Sequence, residues 1–429
     1  MRTRMNLVVC FLAFTFPVAI LPGSIGSSFA AENEAELGLV QEKPKSGLYV
    51  ETEQGYMVPY RLHIPDLEIE IDMIPIRGGT FLMGSAETDP EGRNDEGPQV
   101  RVTVEPFWMA KHEVTWGNYK PYMATYQYFR TNEHKKIRVV NDENKVDAIT
   151  SPTEMYLPEM RFYPREDNRF PAMSMTQYAA KQYTKWLNRM TGVQYRLPFE
   201  AEWEYACRAG SKKRYHFGDD TERLHRYAWY DGNSREEPHF VGQKLPNQLG
   251  LHDMHGNVAE WVLDQYSPTG YKRIEEKIRR GENVTALGTF RQPDTITGRI
   301  VRGGGFVDNA DICRSANRLA HDEVKWKDQD ADLPTSTHWL ASDDFMHIGF
   351  RIMRPLTPIS QEKAADLGIW DATVESLVEN IEVRVDEGRG AIGLVDTKLP
   401  SLLRQYHVAE EERIRKLNER RRQQQKEKK

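Results

Sequence analysis

From Gly210 to about Pro355 the chain is dense in Gly, Asn, Asp and Trp, and its strand-like pieces are short. Nothing repeats there at a fixed period, which removes repeat arrays and solenoids from consideration. What is left is a domain of small elements joined by long loops. A length of 429 residues sets a soft expectation of roughly two to three domains. Nine Trp and 10% aromatic residues supply a sizeable core and exclude wholesale disorder.

Upstream, Ile69 to Ile74 alternates apolar and acidic residues as a strand does, and Gly78-Gly79 turns the chain into Thr80 to Gly84. Val100 to Val104 alternates in the same way. Ser174-Met175-Thr176-Gln177 reads as a capping box, followed by Ala179, Tyr183, Trp186, Leu187 and Met190 at helical spacing and Gly192 as a stop. A second helix is expected from Pro198 through Cys207, with acids in its first turn. Residues 31–68 are polar without strong periodicity and read as a linker, with room for one strand. Residues 357–429 read as a charged, helical extension. Within it, residues 409–429 hold nine basic and five acidic side chains.

Residues 1–30 carry Arg2 and Arg4, an uncharged apolar run from Asn6 to Leu21, and Ser28-Phe29-Ala30 at its end. That is the pattern of a cleaved secretory signal, so a periplasmic or extracellular location is expected. No later stretch is apolar enough to cross a bilayer, so no membrane span is expected in the mature chain. Cleavage after Ala30 takes the formal charge from −6 to −8, which argues against nucleic-acid binding. It also removes Cys10 and leaves Cys207 and Cys313 in a compartment that permits disulfides.

Seven segments, in order, resemble the sulfatase-modifying-factor family of the formylglycine-generating enzymes. They are Ile74 to Ser85, Lys111 to Thr115, Tyr195 to Ala206, Gly250 to Trp261, Val301 to Phe306, Cys313-Arg314 and Gly349 to Arg351. The resemblance covers residues 69–356. It implies an α+β, C-type-lectin-like fold of short helices, small twisted sheets and long loops. Fold alone does not assign activity.

The family's oxidases bind copper with two cysteines five residues apart. The resemblance places Cys313 at the second position and Asp308 at the first. A carboxylate is a hard ligand and a poor replacement for thiolate on Cu(I), so copper is not expected. Gly305 stands where those oxidases have a serine, and Ala259 where they have a tryptophan. Three readings of Cys313 stay open: a disulfide with Cys207, a buried free thiol, or a reactive or metal-bound residue. The disulfide would close a loop of about 105 residues and stabilise by about 4–5 kcal/mol in the chain-entropy model.

The resemblance also implies a structural Ca2+ held by the side chains of Asp253 and Glu260 and the carbonyls of Gly256 and Val258. Oxygen-rich sites of this kind suit hard cations. Two insertions, residues 124–170 and residues 321–347, are expected to shape a groove for a ligand, with Trp326, Trp339 and Arg302 as lining residues. The favoured reading is an exported binding or scaffold module for a peptide or glycan, with a place in an envelope complex. One alternative is an oxidase acting on a sulfatase cysteine or serine, with Cys313 as its redox residue. A second is a different metal enzyme using Asp308 and nearby His.

Overall fold

The structure, a computed structural model, describes residues 37–153, 167–321, 337–340 and 346–427. The leader, Cys10 and Trp326 lie outside these residues. A first sheet is built around strand β5, Ile69–Ile76. Ile69, Ile71 and Met73 are buried on one face, while Glu70 and Asp72 point the other way. Antiparallel β4 (Tyr60–Ile64) lies on one side of it and β8 (Phe107–Ala110) on the other. The sheet order is β14-β8-β5-β4, so β14 (Met353–Pro355) arrives from far along the chain. Before β4, the short strands β1 (Leu39–Val40), β2 (Val50–Thr52) and β3 (Gly55–Met57) make a small sheet of their own. The segment read as a linker is therefore folded from residue 37 onward. Its apolar residues are too sparse to show a period, yet Val50, Met57, Leu62 and Ile64 all reach the core.

The second sheet has the order β12-β11-β10-β13. Its inner strand β10, Ala259–Gln265, is buried at every residue. It pairs antiparallel with β11 (Arg299–Arg302) and parallel with β13 (Ile348–Gly349). β12 (Arg318–His321) closes the edge. Strands β6 (Gly79–Met83) and β7 (Val100–Val104) form an antiparallel ribbon at the positions expected from sequence.

Helix α1 spans Trp116–Lys135 and α2 spans Gln177–Thr191. The cap of α2 is Thr176, whose hydroxyl accepts from Ala179 N. Ser174, the expected start of a capping box, instead sits at φ 67° and donates to the Met346 carbonyl. Gly192 ends the helix at φ 73°, a backbone that favours glycine. Helix α3, Glu200–Arg208, begins where Glu202 accepts from Phe199 N at 2.8 Å. The core is aromatic: Tyr119 stacks on Tyr183 at 5.5 Å, and Trp186, Trp116 and Phe350 pack around them.

The C-terminal extension is part of this body. Trp370 is buried, and its Nε1 donates to the Tyr195 carbonyl at 2.9 Å. Lys185 binds both oxygens of Asp371 at 2.9 Å. Strand β15 (Ala391–Leu394) pairs with β9 (Ala148–Ser151) inside the first insertion. The last helix, α4 (Leu399–Glu427), docks through Leu399 and Leu403, and residues 411–421 are exposed. Truncating Trp370→Ala is expected to cost about 3–5 kcal/mol in chemical denaturation. An unchanged midpoint would mean that the extension docks without stabilising the fold.

Candidate functional site

Glu260 is in β10 and is 1% exposed. Arg351 grips both its oxygens, Nη2 reaching Oε1 and Nε reaching Oε2 at 2.6 Å each, and Trp203 Nε1 donates to Oε2 at 2.8 Å. Arg351 also donates to the carbonyls of Ala110 and His252, at 3.1 and 2.9 Å. Glu260 is thus committed to a buried ion pair and is not free to hold a cation, contrary to expectation.

The turn before it is tightly bent. Asp253 and Asn257 have φ near +60°, and a Cβ on Gly256 would fall 2.3 Å from the Trp229 carbonyl. Asp253 Oδ2 accepts from Gly242 N at 2.6 Å, whereas Oδ1 has no partner among the described residues. Glu113 faces the same turn. Its Oε1 accepts from Asn257 Nδ2 at 3.0 Å, and its Oε2 is likewise bare and buried. Burial and the charge of Asp253 push the Glu113 carboxyl well above the usual carboxylate range. Burial raises Asp253 to about 6. Two buried carboxyl groups that face one another suit a proton shared between them, which the raised Glu113 supplies, or a hard cation in its place. Asp253 thus faces Glu113, a residue not singled out from the sequence although it stands in the Lys111 to Thr115 motif, while Glu260 faces Arg351. Among the described residues no three His, Cys, Asp or Glu side chains gather around one metal position. The carbonyls of Gly256 and Val258, in the same turn, would have to complete such a site.

Asp308, expected from the resemblance at the first copper position, is held by its own loop. Asp308 Oδ2 accepts from Gly305 N at 2.8 Å and lies 3.4 Å from His347 Nε2. A Cβ on Gly305 would stand 2.6 Å from His347 Cδ2, so this imidazole requires glycine where the oxidases carry serine. Cys313 is fully buried, and its sulfur lies 2.9 Å from where a Cβ on Gly304 would be. Burial, then the charge of Asp308, raises its thiol well above the ordinary range. A thiol so placed is a poor source of thiolate.

Of the three readings of Cys313, the disulfide with Cys207 is not formed. Both are free, buried thiols. His255 stands beside both: its Nδ1 donates to the Cys313 carbonyl at 2.9 Å, and Cys207 Sγ lies 3.7 Å from the same nitrogen. The Cys207 thiol donates to the Met254 carbonyl, and burial pushes it up to about 12. With Nδ1 of His255 carrying the proton, its Nε2 accepts from His216 Nδ1 at 3.0 Å. Burial holds His255 down to about 4 and His216, which also faces His255, to about 2. Both rings are neutral structural parts.

Of the expected groove residues, Arg302 and Trp339 do not meet at a groove, and Trp326 lies outside the described residues. Arg302 is buried against Glu204 and Trp203. Trp339 is 9% exposed, packs on Tyr119 and donates to the Thr153 carbonyl. A wide cleft lies elsewhere among the described residues. It has a volume of about 1,040 Å3 and runs between the β4–β5 edge, the start of α1 and α4, with Arg61, Lys120, Arg169, Phe240 and Arg404 on its walls. Glu113 is on its floor.

Residues 66–329 match the sulfatase-modifying factor enzyme 1-like domain. The chain belongs to that family. It is similar to the serine/threonine-protein kinase pkn1 of Chlamydia pneumoniae, at 28% identity over 65% of this chain and 39% of the kinase. It thus spans about two-fifths of that relative's length. It is also similar to the inactive C-alpha-formylglycine-generating enzyme 2 of Bos taurus, at 29% identity over 58% of this chain and 80% of that protein. Among solved structures, PvdO from Pseudomonas aeruginosa aligns over 68% of this chain and 96% of its own, with 24% identity and a TM-score of 0.47. Fold and family are those that the motifs implied.

Two measurements check this picture. Arg351→Met leaves Glu260 as an uncompensated buried charge and is expected to cost about 3–5 kcal/mol. The neutral His216 binds no proton in the folded state at pH 5, whereas an unfolded histidine does. Stability therefore falls as pH drops below the ordinary histidine range, by about 2 kcal/mol per such ring between pH 7 and 5. The variant His216→Phe should show a shallower loss over that interval in denaturant titrations, and an unaltered slope would contradict the assignment.

Proposed function

We propose that this chain is an exported, non-oxidising member of the sulfatase-modifying-factor family that binds or scaffolds a peptide or glycan. The observation that carries the reading is Asp308, which the resemblance aligns with a copper thiolate and which is held by the Gly305 amide beside His347. The buried, protonated Cys313 supports it, because Cu(I) requires soft, deprotonated sulfur. Export is supported by the leader pattern of residues 1–30. In the described residues no helix is long and apolar enough to cross a membrane.

The test is copper. Purified wild-type protein should bind no stoichiometric Cu(I), while Asp308→Cys should gain affinity by installing the second thiolate. Stoichiometric copper on the wild type, with aldehyde formed on a cysteine-bearing sulfatase peptide, would overturn the reading.

The paired bare oxygens of Glu113 and Asp253 support a structural Ca2+. Bound there, the ion would neutralise two buried carboxylates and lock the 253–258 turn. At pH 7 chelation should lower the melting temperature by several degrees, since site occupancy at about 100 Kd contributes about 2.7 kcal/mol. Glu113→Gln should abolish the chelator's effect, and a wild-type melting point indifferent to chelation would remove calcium from the account.

A further inference from the structure

β4 is the outer strand of its sheet, and its outer edge is bare. In β5 the even-numbered residues turn their backbone away from β4. The Asp72 carbonyl accepts from Lys111 N at 2.8 Å, and Glu70 N donates to Asn118 Oδ1 at 3.3 Å. Backbone groups alternate sides along a strand, so Ile69, Ile71 and Met73 turn theirs to Ile64, Leu62 and Tyr60. Arg61 and His63 therefore direct their N–H and C=O groups outward. None of these four groups has a partner among the described residues.

A groove of about 660 Å3 runs along this edge. Its far wall is Met190, Val193 and Pro400, and Leu37 lies at its rim. On the solvent face the charges alternate from strand to strand. Asp72 pairs with Arg61 at 2.7 Å, and Glu70 lies 3.4 Å from His63. Acids on a further strand would continue the alternation, since opposite charges across a ladder stabilise it. On the other face Leu62 and Ile64 point inward, so the matching side chains of an added strand would be apolar.

We propose that this edge receives an extended peptide of a partner protein as an added strand. Its acidic side chains lie opposite Arg61 and His63, and its aliphatic ones face Met190 and Val193. Pro65 follows β4 directly and ends the pairing, so the recognised segment is short. The inference rests on the reading of the chain as a binding module, and it names the ligand. The copper test concerns Asp308, away from this groove, so the two can fail separately.

The experiment uses the full mature chain and a fluorescein-labelled short peptide of alternating Glu and Val, read by anisotropy. Binding is expected, with affinity reduced at least about ten-fold for the Lys-Val counterpart and for a fully N-methylated copy. Amide exchange at Arg61 and His63 should slow when the peptide is added. The His63 N–H lies outside the β4–β5 ladder, so His63→Pro should keep the melting temperature and lose binding about ten-fold. If that variant unfolds, the N-methylated peptide decides on the wild type. No binding, or equal binding of the N-methylated or Lys-Val peptide, overturns the proposal. Slow exchange of both amides without peptide also overturns it, because residues 31–36, which place Glu at every second position, would then already fill the edge.

Discussion

A guanidinium locked on a carboxylate in the interior is the constraint on which this fold depends. Arg351 and Glu260 are 0% and 1% exposed, and between them they join β10, β8, α3 and the turn before β10. Burying two charges is costly, and only complete hydrogen bonding offsets it. Here the fork of Arg351 is met by a carboxylate and two carbonyls. The same device recurs around it: Arg196 on Glu202, Arg302 on Glu204, Arg314 on Glu96 and Arg318 on Glu200. A chain with long irregular loops cannot satisfy its interior through ladders alone. Buried arginines that reach several carbonyls at once do that work where regular structure is absent.

This explains what the sequence disclosed. The motifs that mark the family hold most of these residues, all but Glu96 and Arg318, together with Trp203 and Gly303. They are legible because they are structural, so fold and order of elements followed from them. The helix over 177–191 was equally legible, since its apolar period and its Gly192 stop are local. The folded stretch 37–68 and the docked extension were not. Their contacts are few and widely spaced, as with Trp370 on Tyr195 and β15 on β9, and no local window displays a partner some 175 to 240 residues away.

The candidate site was legible only in its chemistry. The resemblance aligned Asp308 with a thiolate position from the letters alone. That it leans on the Gly305 amide and on His347, about forty residues further along the chain, could not be read from them. Nor could the sequence show that Glu260 had already been taken by Arg351, which shifts the bare carboxylate oxygen to Glu113. The two cysteines teach the same lesson. An even count would favour a bond if the chain is exported, yet His255 stands beside both and leaves each a separate thiol.

The wiring of the first sheet has a consequence for how the protein is made. β5 can pair with β4 and β8 early, but β14 does not exist until residue 355 has been synthesised, and the β9–β15 pair waits for residue 394. Nearly the whole chain must emerge before these contacts close, and contacts of such sequence separation form slowly. During that interval Trp108 and Phe107 of β8 lack their final neighbour. Until residues 353–355 arrive, β8 has an open edge of the kind that invites wrong pairing.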